Sequence, residues 1–300
     1  MSKLYLAGFW FLKFIVWLLP SAVSAAFCRA LARVYFLIAK KRKHNVLANL
    51  NLAFSDSISS DEKLKIAKEC YEKFAVYLGA NFIKNQNTTK KSVLERVDFK
   101  HSERLLSAIN SGRGVIVVTA HYGEWELFSL AMAAKFGAVS VVGRRLDDMA
   151  MEAILSKNRH QFDIQVIEKS GAARGVLRAL KDGRLVGILV DQNTAKSEGV
   201  EVEFFSHRAL HTPAASVLAQ KSGALIVPAY IKSVGSGRSE IEFDEVIDVA
   251  VLTQSLGKDE AILQATQEQA SSCEAAIRRA PSEYFWFHKR FKHFYEGIYK

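Results

Sequence analysis

The strongest constraint on the fold is an alternation that begins near residue 100. Short runs rich in β-branched residues alternate with segments in which apolar residues recur every three or four positions. This alternation predicts an α/β fold with a mostly parallel central sheet flanked by helices. The predicted strands are GVIVVTA at 114–120, VSVVG at 139–143, IQVIE at 164–168, LVGILV at 185–190 and LIVPAY at 225–230. The predicted helices lie near 102–111, 124–136, 149–160, 172–182 and 211–222.

Local signals add three further elements to this prediction. Ser59 with Glu62 three residues later is a capping box, which predicts that a helix begins there. The Gly- and Ser-rich stretch 233–239 predicts a hairpin loop rather than a linker between domains. Residues 258–280 predict a further helix. Because no internal repeat or interdomain linker occurs, we expect a single α/β domain after the N-terminal segment.

The N-terminal segment is apolar and is followed by a basic cluster. Residues 4–27 contain one charged residue, Lys13, and KKRKH occupies 40–44. A cleaved signal peptide would use Lys3 as its basic start. However, a charge inside the apolar stretch and basic residues behind it favour a retained anchor whose basic end stays on the cytoplasmic side.

The form of this anchor is left open by the sequence. A helix needs about 20 apolar residues to cross the bilayer, and Lys13 and Pro20 interrupt the stretch, so an embedded or shallow hairpin is equally compatible. We therefore predict two parts. Residues 1–43 form an N-terminal membrane-anchoring helix with its basic flank, and residues 44–300 form the α/β domain.

The charge balance narrows the classes of partner. The chain has 41 Lys and Arg against 31 Asp and Glu, a net charge of +10. A nucleic acid, an anionic membrane or an acidic protein would each match this charge. The apolar N-terminus favours a membrane, and dispersed basic residues without a recognised binding module argue against nucleic acid. The three cysteines show neither disulfide nor metal-ligand spacing, so no metal site is predicted.

A histidine and a glutamate follow the strand predicted at 114–120. In a continuous helix, His121 and Glu126 would point to different faces. We therefore expect His121 in the turn after the strand and Glu126 in the first turn of the next helix, from where it can reach back and fix the ring tautomer. The other ring nitrogen would then act as a base at the carboxyl edge of the sheet, where ligands usually bind. The alternative is that both residues only cap the helix.

Several familiar catalytic motifs are absent from the sequence. It contains no GxSxG elbow, no GxxxxGK[ST] loop, no GxGxxG and no HExxH. A serine acyl-enzyme, a nucleotide site, a dinucleotide site and a zinc peptidase are therefore unsupported. What remains is general-base catalysis on a hydroxyl group or on water.

Ordered blocks along the chain resemble the bacterial lipid A biosynthesis acyltransferase family, the late acyltransferases within the lysophospholipid acyltransferase-like superfamily. Each block alone is not specific to this family, whereas the blocks taken together and in this order are. The blocks are LLP at 18–20, HNVLANLNLAF at 44–54, HYGEWEL at 121–127, GRRLDD at 143–148, DQN at 191–193, VEFFSHRALHTPAASVLAQKSGALIVPAY at 202–230 and PSEYFWFHKRFK at 281–292.

The resemblance implies an O-acyltransferase in which His121 is the general base and Glu126 orients it and stabilises its charged form. The implied donor is a fatty acyl chain on acyl carrier protein, an acidic partner. The implied acceptor is a hydroxyl of a lipid A precursor at the cytoplasmic face of the bacterial inner membrane. No metal or other cofactor is implied. Two alternatives remain open: an acyltransferase for another glycolipid or lysophospholipid, and a non-catalytic membrane-surface binding protein.

The same resemblance suggests substrate-binding residues. Arg144 matches an arginine of the family's second block and would contact a phosphate, unless it pairs with a neighbouring aspartate. Asp191 and Gln192 end a predicted strand at the edge where ligands bind, and their alternative role is to cap the turn. His288 and Arg290 lie in the near-terminal block, where they would bind anionic headgroups or merely help to anchor an interface.

Overall fold

A computed structural model of the chain describes residues 2–144 and 146–300. Seven strands form one sheet in the order β1-β9-β8-β2-β5-β3-β4, and a two-stranded hairpin, β6-β7, lies apart from it. All neighbours in the seven-stranded sheet are parallel except β8 and β9. The strands are β1 Val97–Lys100, β2 Val115–Thr119, β3 Val139–Gly143, β4 Ile164–Glu168, β5 Leu185–Leu189, β6 Val200–Phe204, β7 His207–His211, β8 Leu225–Gly235 and β9 Arg238–Phe243. The predicted fold class is confirmed.

Helices cover both faces of the sheet. A π-helical segment, Val76–Asn81, follows α4, and short 3₁₀ turns occupy Pro281–Glu283 and Glu296–Tyr299. The α-helices are α1 Ser2–Leu18, α2 Ser21–Ile38, α3 Lys40–Phe54, α4 Ser60–Ala75, α5 Phe82–Asn85, α6 Lys90–Leu94, α7 Ser102–Asn110, α8 Trp125–Phe136, α9 Met149–Arg159, α10 Ala172–Lys181, α11 Ala214–Ser222, α12 Val249–Leu256 and α13 Lys258–Arg279.

Alternation along the central strands divides the core into two layers. Val115 and Val117 of β2 pack with α8, whereas Ile116 and Val118 pack with α10, α11 and α13. All five residues of β2 are buried, as expected for an inner strand of a parallel sheet. Each predicted strand and helix has its counterpart, and the side chain of Ser59 caps α4 by accepting from the backbone N–H of Glu62 at 3.1 Å.

Several elements escaped the sequence prediction or differ from it. β1 and the β6-β7 hairpin were not predicted, and α11 begins at Ala214 because residues up to His211 belong to β7. The hairpin turn has positive φ angles at Phe205 (56°) and Ser206 (58°). Such a turn usually carries Gly, Asn or Asp, and this one therefore gives no recognisable signal.

The N-terminal segment forms two helices that pack on the α/β domain. Cys28, Ala32 and Phe36 of α2 are buried, and the Lys13 ammonium of α1 donates to the side chain of Gln86 at 2.7 Å. Among the described residues, one helix, α2, is long and apolar enough to cross a membrane. The division into residues 1–43 and 44–300 stays a prediction, and position 43 lies within α3.

Candidate active site

His121 lies in the turn that joins β2 to α8. The turn is built around Gly123, which has φ of +57°. A Cβ atom at this position would collide with the carbonyl oxygen of Ile231. Glycine is therefore required both by the backbone conformation and by the close approach of β8. The turn brings His121 to the carboxyl edge of the sheet, and its side chain keeps 20% of its surface exposed.

The partner of His121 is Asp191. Nδ1 of the ring lies 2.9 Å from Oδ1 of Asp191, and the same oxygen accepts the backbone N–H of His121 at 3.0 Å. The two residues meet because β2 and β5 are neighbours, and the N–H of Val190 continues their pairing by donating to Thr119 at 3.0 Å. Asp191 is 1% exposed. Burial alone would raise the pKa of Asp191, but the charge and hydrogen bonds of His121 hold that pKa well below its usual range.

The predicted contact between Glu126 and His121 is not formed. Glu126 lies in the first turn of α8, as expected, but its carboxylate accepts from Nε and Nη2 of Arg159 at 3.0 and 2.5 Å. The indole N–H of Trp125 also donates to it at 3.2 Å. The side chain points toward α9, which carries Arg159, and not back toward the turn. Asp191, predicted as a substrate ligand, occupies the place next to His121 that was assigned to Glu126.

The pairing defines the tautomer of His121. Because Asp191 is an anionic acceptor, Nδ1 carries the proton and Nε2 presents its lone pair. The amide nitrogen of Gln192 is 3.4 Å from this Nε2, so the predicted site residue Gln192 does lie beside the ring. Trp125 and Phe285 pack around the imidazole, with ring centroids at 5.1 and 6.2 Å.

The near-terminal segment stabilises the His121 turn through backbone hydrogen bonds. Phe285 donates its backbone N–H to the carbonyl oxygen of His121 at 2.9 Å, and Gly123 donates to the carbonyl oxygen of Glu283 at 2.8 Å. Between them, Tyr122 and Tyr284 form an isolated antiparallel bridge. The block at 281–292 therefore contributes directly to the geometry of the turn, a role that its composition did not reveal.

The position of Arg290 does not support the headgroup-binding role predicted for it, whereas the same role for His288 stays a prediction. Arg290 is fully buried, with its guanidinium donating to the carbonyl oxygen of Leu210 and lying 3.1 Å from Nδ1 of His211. Part of His288 is accessible, but its Nε2 is buried, and its Nδ1 lies 3.0 Å from the carbonyl oxygen of Phe285. The mixture of aromatic and basic residues suits a membrane interface and a buried cluster equally well, so the sequence alone did not predict the burial of Arg290.

Arg144 remains at the surface. Its guanidinium pairs with Asp147 at 2.9 Å, and both side chains are largely exposed. The sequence left open whether Arg144 contacts a phosphate or pairs with a neighbouring aspartate, and the structure shows the pair. Its neighbour Arg145 in the GRRLDD block lies outside the described residues. Arg144 also lines a polar pocket beyond the end of β3, together with Gly143, Glu152, Ser156, Arg159 and His160.

An apolar cavity runs beneath α8 from the same edge of the sheet. Glu126 and Arg159 are the charged residues in its wall. Thr119 and Leu189 end their strands at the His121 edge, whereas Val139 and Leu185 begin theirs at the opposite edge. The other lining residues are Val117, Trp125, Phe128, Ser129, Met132, Val141, Val142, Gly187 and Ile188. Such a lining suits a flexible apolar chain that enters beside the ion pair.

Glu124 lies next to the His121 turn and is buried. Its carboxylate accepts from the side-chain amides of Asn81 at 2.8 Å and Asn85 at 2.9 Å. Burial raises its pKa to about 7, although these hydrogen bonds and the charge of Arg96 oppose the rise. Within residues 2–144 and 146–300, no group of three or more His, Cys, Asp or Glu side chains could hold a metal ion.

Comparison with known proteins gives one family match that extends over most of the chain. The family described as bacterial lipid A biosynthesis acyltransferase matches residues 2–293. The lipid A biosynthesis palmitoleoyltransferase of Escherichia coli is 26% identical over 295 residues, which are 94% of this chain and 90% of that protein. The lipid A biosynthesis lauroyltransferase of E. coli is 23% identical over 95% of this chain and 91% of its own length.

A second kind of relative matches part of the chain. The phosphatidylinositol mannoside acyltransferase of Mycolicibacterium smegmatis is 24% identical over 170 residues, which are 54% of this chain and 56% of that protein. Its counterpart in Mycobacterium tuberculosis is 24% identical over 51% of either chain. The matched region thus spans about half the length of these mannoside acyltransferases.

Proposed function

Because the chain belongs to the bacterial lipid A biosynthesis acyltransferase family, we propose that it transfers a fatty acyl chain from acyl carrier protein to a hydroxyl group of a lipid A precursor. One observation carries the proposal. Nδ1 of His121 is paired at 2.9 Å with a buried aspartate, and Trp125, which packs against the ring, lines a cavity whose walls are mainly apolar. A base next to an apolar channel matches a reaction that joins an alcohol to an acyl chain.

The chemistry follows from the protonation states. Nε2 of His121 removes the proton from the acceptor hydroxyl, and the hydroxyl oxygen attacks the thioester carbonyl carbon at the same time. The ring is then an imidazolium, which the anionic carboxylate of Asp191 stabilises. The carbon–sulfur bond breaks, and the departing thiolate takes the proton from the ring. Gln192, whose amide nitrogen is 3.4 Å from Nε2, donates a hydrogen bond to the thioester carbonyl oxygen.

The apolar cavity accepts the acyl chain. It extends from Thr119 at the His121 edge to Val139 and Leu185 at the opposite edge. Along β5, the four residue steps from Leu189 to Leu185 correspond to about 13 Å. Burial of each methylene group contributes about 0.8 kcal/mol, so this channel supplies binding energy and selects the chain length.

Glu126 acts on the mouth of the channel rather than on the ring. Its carboxylate neutralises Arg159, which lines both the apolar cavity and the polar pocket that contains Arg144. The pair keeps Arg159 in position where the acyl chain enters. Arg144 leaves its exposed pair with Asp147, which is worth at most about 1 kcal/mol, and binds a phosphate of the donor or acceptor.

The N-terminal helices attach the enzyme to the membrane by lying in the surface of one leaflet. Trp17 is 80% exposed and Phe11 is 65% exposed, although both are large and apolar. The exposed apolar face of the helix pair also includes Trp10, Phe14, Leu18, Leu31, Val34, Tyr35, Leu37 and Ile38. An exposed apolar area of this extent marks an interaction site, and the basic residues at 40–43 favour anionic lipids.

The packing of the pair supports an in-plane anchor rather than a spanning one. Lys84 donates to the carbonyl oxygen of Leu19 at 3.2 Å and to the hydroxyl of Ser21 at 2.9 Å. Leu12 of α1 and Cys28 of α2 both approach Gly79 of the π-helical segment. Because the turn and the middle of both helices contact the α/β domain, this packing favours helices that lie in the plane of the membrane. We place the domain at the cytoplasmic face of the inner membrane, where acyl carrier protein is available.

The reaction is tested with purified full-length protein in detergent. The assay supplies a labelled acyl chain on acyl carrier protein and a tetra-acylated lipid A precursor, and mass spectrometry detects the product. We expect an increase in acceptor mass that equals one acyl chain. A phosphatidylinositol mannoside serves as the second acceptor, because the partial match to the mannoside acyltransferases favours a glycolipid as the second candidate. Acylation of neither acceptor would contradict the proposed function.

A further inference from the structure

Two buried carboxyl groups lie on either side of the turn that carries His121. The backbone oxygen of Glu283 accepts from the N–H of Gly123 at 2.8 Å, and Glu124 follows Gly123 directly in the chain. Glu283 is 1% exposed and Glu124 is 5% exposed. Because buried carboxyl groups need hydrogen-bond partners, the side chains that donate to them also fix the backbone on both sides of the turn.

Lys73 and Tyr77 hold the carboxylate of Glu283. The Lys73 ammonium donates to Oε1 at 2.7 Å, and the Tyr77 hydroxyl donates to Oε2 at 2.8 Å. Burial and the charge of Glu283 raise the pKa of Tyr77 well above its usual value, so the hydroxyl keeps its proton and can donate. Lys73 also donates to the hydroxyl of Ser282 at 2.9 Å. The segment that bonds to the His121 turn is therefore fixed by α4 and the π-helical segment.

Asn81 and Asn85 hold the carboxyl group of Glu124. The side-chain amide of Asn81 donates to Oε2 at 2.8 Å, and that of Asn85 donates to Oε1 at 2.9 Å. Arg96 donates to the amide oxygen of Asn85 at 2.9 Å, which leaves the amide nitrogen directed at Glu124. Both oxygens of Glu124 are thus bonded at the point where the turn enters α8.

The four donors occupy one face of a helical stretch that runs from α4 through the π-helical segment to α5. Lys73, Tyr77, Asn81 and Asn85 follow one another at four-residue spacing. In an α-helix each residue is rotated by about 100°, so three such steps would turn the row of side chains by about 120°. The i→i+5 turn of the π-helical segment Val76–Asn81 rotates less per residue and offsets part of this drift. One helical face can therefore reach both carboxyl groups.

We propose that Lys73, Tyr77, Asn81 and Asn85 are positioning residues for the general base, because the carboxyl groups that they hold fix the turn of His121. The proposal rests on the acyl-transfer function proposed above. A buried ion pair contributes little to stability compared with apolar residues of the same volume, whereas it selects one geometry. Displacement of a catalytic group by about 1 Å can lower a rate by about 10²-fold.

Substitutions that remove single donors test this role. Tyr77→Phe and Asn81→Leu each remove one donor and nearly preserve the size of the side chain. Tyr71→Phe is the matched control, because Tyr71 is buried on α4 and its hydroxyl has no hydrogen-bond partner in the described part of the chain. Glu283→Ala removes both contacts of the carboxylate. Glu283→Gln keeps an oxygen that can accept from Lys73 and an amide that can donate to the hydroxyl of Tyr77.

We expect kcat to fall about tenfold in Tyr77→Phe and Asn81→Leu. KM stays within about twofold of the wild-type value, because the groups that contact the substrates are unchanged. Tyr71→Phe keeps the wild-type kcat, and Glu283→Gln recovers most of the kcat that Glu283→Ala loses. Thermal unfolding of each variant, with kinetics measured well below its melting temperature, separates loss of folding from displacement of the base.

NMR of ¹⁵N-labelled histidines gives a readout that does not depend on turnover. The proton on Nδ1 of His121 reports the 2.9 Å bond to Asp191, and its resonance moves upfield when that bond lengthens. We expect this movement in Tyr77→Phe and Asn81→Leu and not in Tyr71→Phe. An inactive wild type would contradict the proposed function, whereas this pattern of shifts would still support the positioning role.

Two results would overturn the proposal. If the folded Tyr77→Phe and Asn81→Leu variants keep the wild-type kcat and an unshifted Nδ1 proton, the four donors do not act on the base. An equal loss of kcat in Tyr71→Phe would assign the effect to the packing of α4 and not to the bonds with Glu283 and Glu124.

Discussion

Oδ1 of Asp191 accepts two hydrogen bonds from His121, one from the ring at 2.9 Å and one from the backbone N–H at 3.0 Å. One oxygen thus fixes both the turn and the orientation of the ring. Since Asp191 is buried directly after β5, the sheet itself sets this geometry. The arrangement makes Asp191, and not Glu126, the residue on which the tautomer of His121 depends.

We expect Asp191→Asn and Glu126→Gln to affect different kinetic constants. Asparagine keeps the size of the side chain but removes the charge that stabilises the imidazolium, so kcat falls by about 10³- to 10⁴-fold and the acid limb of kcat/KM against pH moves to lower pH. Glu126→Gln loosens Arg159 at the channel mouth, so activity falls mainly through KM and the acid limb stays in place. A shifted acid limb in Glu126→Gln but not in Asp191→Asn would restore the pairing predicted from sequence.

Gly187 offers a graded test of the acyl channel. A Cβ atom at this residue of β5 would lie 3.5 Å from Cγ1 of Val141, an ordinary contact, so Gly187→Ala is a mild control. Gly187→Leu fills part of the channel. Each methylene group of the acyl chain that is thereby excluded loses about 0.8 kcal/mol of binding free energy, which lowers transfer about fourfold. Competition between donors of different length measures the preference. A leucine variant that folds normally and keeps the wild-type preference would exclude this cavity as the channel.

The exposed apolar face of the helix pair predicts binding to lipid. Replacing Phe14 and Trp17 with glutamate removes apolar contact and adds repulsion from anionic headgroups, so co-sedimentation with vesicles that contain anionic phospholipid falls by at least tenfold. Leu256→Glu is the matched control, since Leu256 is 45% exposed on α12. Equal loss in the control would show that the helix pair has no special role.

Labelling of an introduced cysteine distinguishes an in-plane helix from a spanning one. The native cysteines, Cys28, Cys70 and Cys273, are all buried, so Ser21→Cys supplies the accessible thiol. If α2 lies in the plane, an impermeant maleimide labels this residue in inverted inner-membrane vesicles and not in spheroplasts. Labelling in spheroplasts would mean that α2 crosses the bilayer.

Glu124 predicts a pH dependence of folding stability. Its pKa is about 7 in the folded protein against an ordinary value of 4.5, so the folded state holds this proton more tightly. The resulting stabilisation is complete below pH 4.5 and is lost as the pH rises through 7, and it amounts to about 3 kcal/mol. Glu124→Gln removes this part of the pH dependence.

Urea unfolding at several pH values between 4.5 and 8 measures the effect. The free energy of unfolding of Glu124→Gln is expected to decline less across this range than that of the wild type. Glu103→Gln is the control, because the Glu103 carboxylate is exposed. If the free energy of unfolding changed with pH equally in the wild type and in Glu124→Gln, this result would contradict the raised pKa of Glu124.

Local signals in the sequence predicted the frame of the site. The strands were recognisable because inner parallel strands are continuous apolar runs, and the position of His121 followed from where one such run ends. The partner of the ring was not predictable in this way. Asp191 is 70 positions away and meets His121 because β5 lies beside β2, and strand order is not encoded in residue spacing.

The near-terminal block shows a second limit of sequence analysis. Arg290 and His288 stand among aromatic residues, a composition typical of membrane interfaces. The burial of Arg290 depends on the pairing of Tyr284 with Tyr122 and on the contacts of its guanidinium with Leu210 and His211 of β7, which arise from tertiary packing. The local sequence around a charged residue does not show whether that residue is buried with its partners or lies at the surface.

The initial rate of acyl transfer by His121→Ala, compared with the wild type at equal concentration in the same detergent, tests most directly whether His121 is the general base. We expect the variant to fold with a normal melting temperature and to lose at least about 10³-fold in rate, because the group that takes the hydroxyl proton has been removed. A folded His121→Ala variant that transfers the acyl chain at the wild-type rate would show that His121 is not the base.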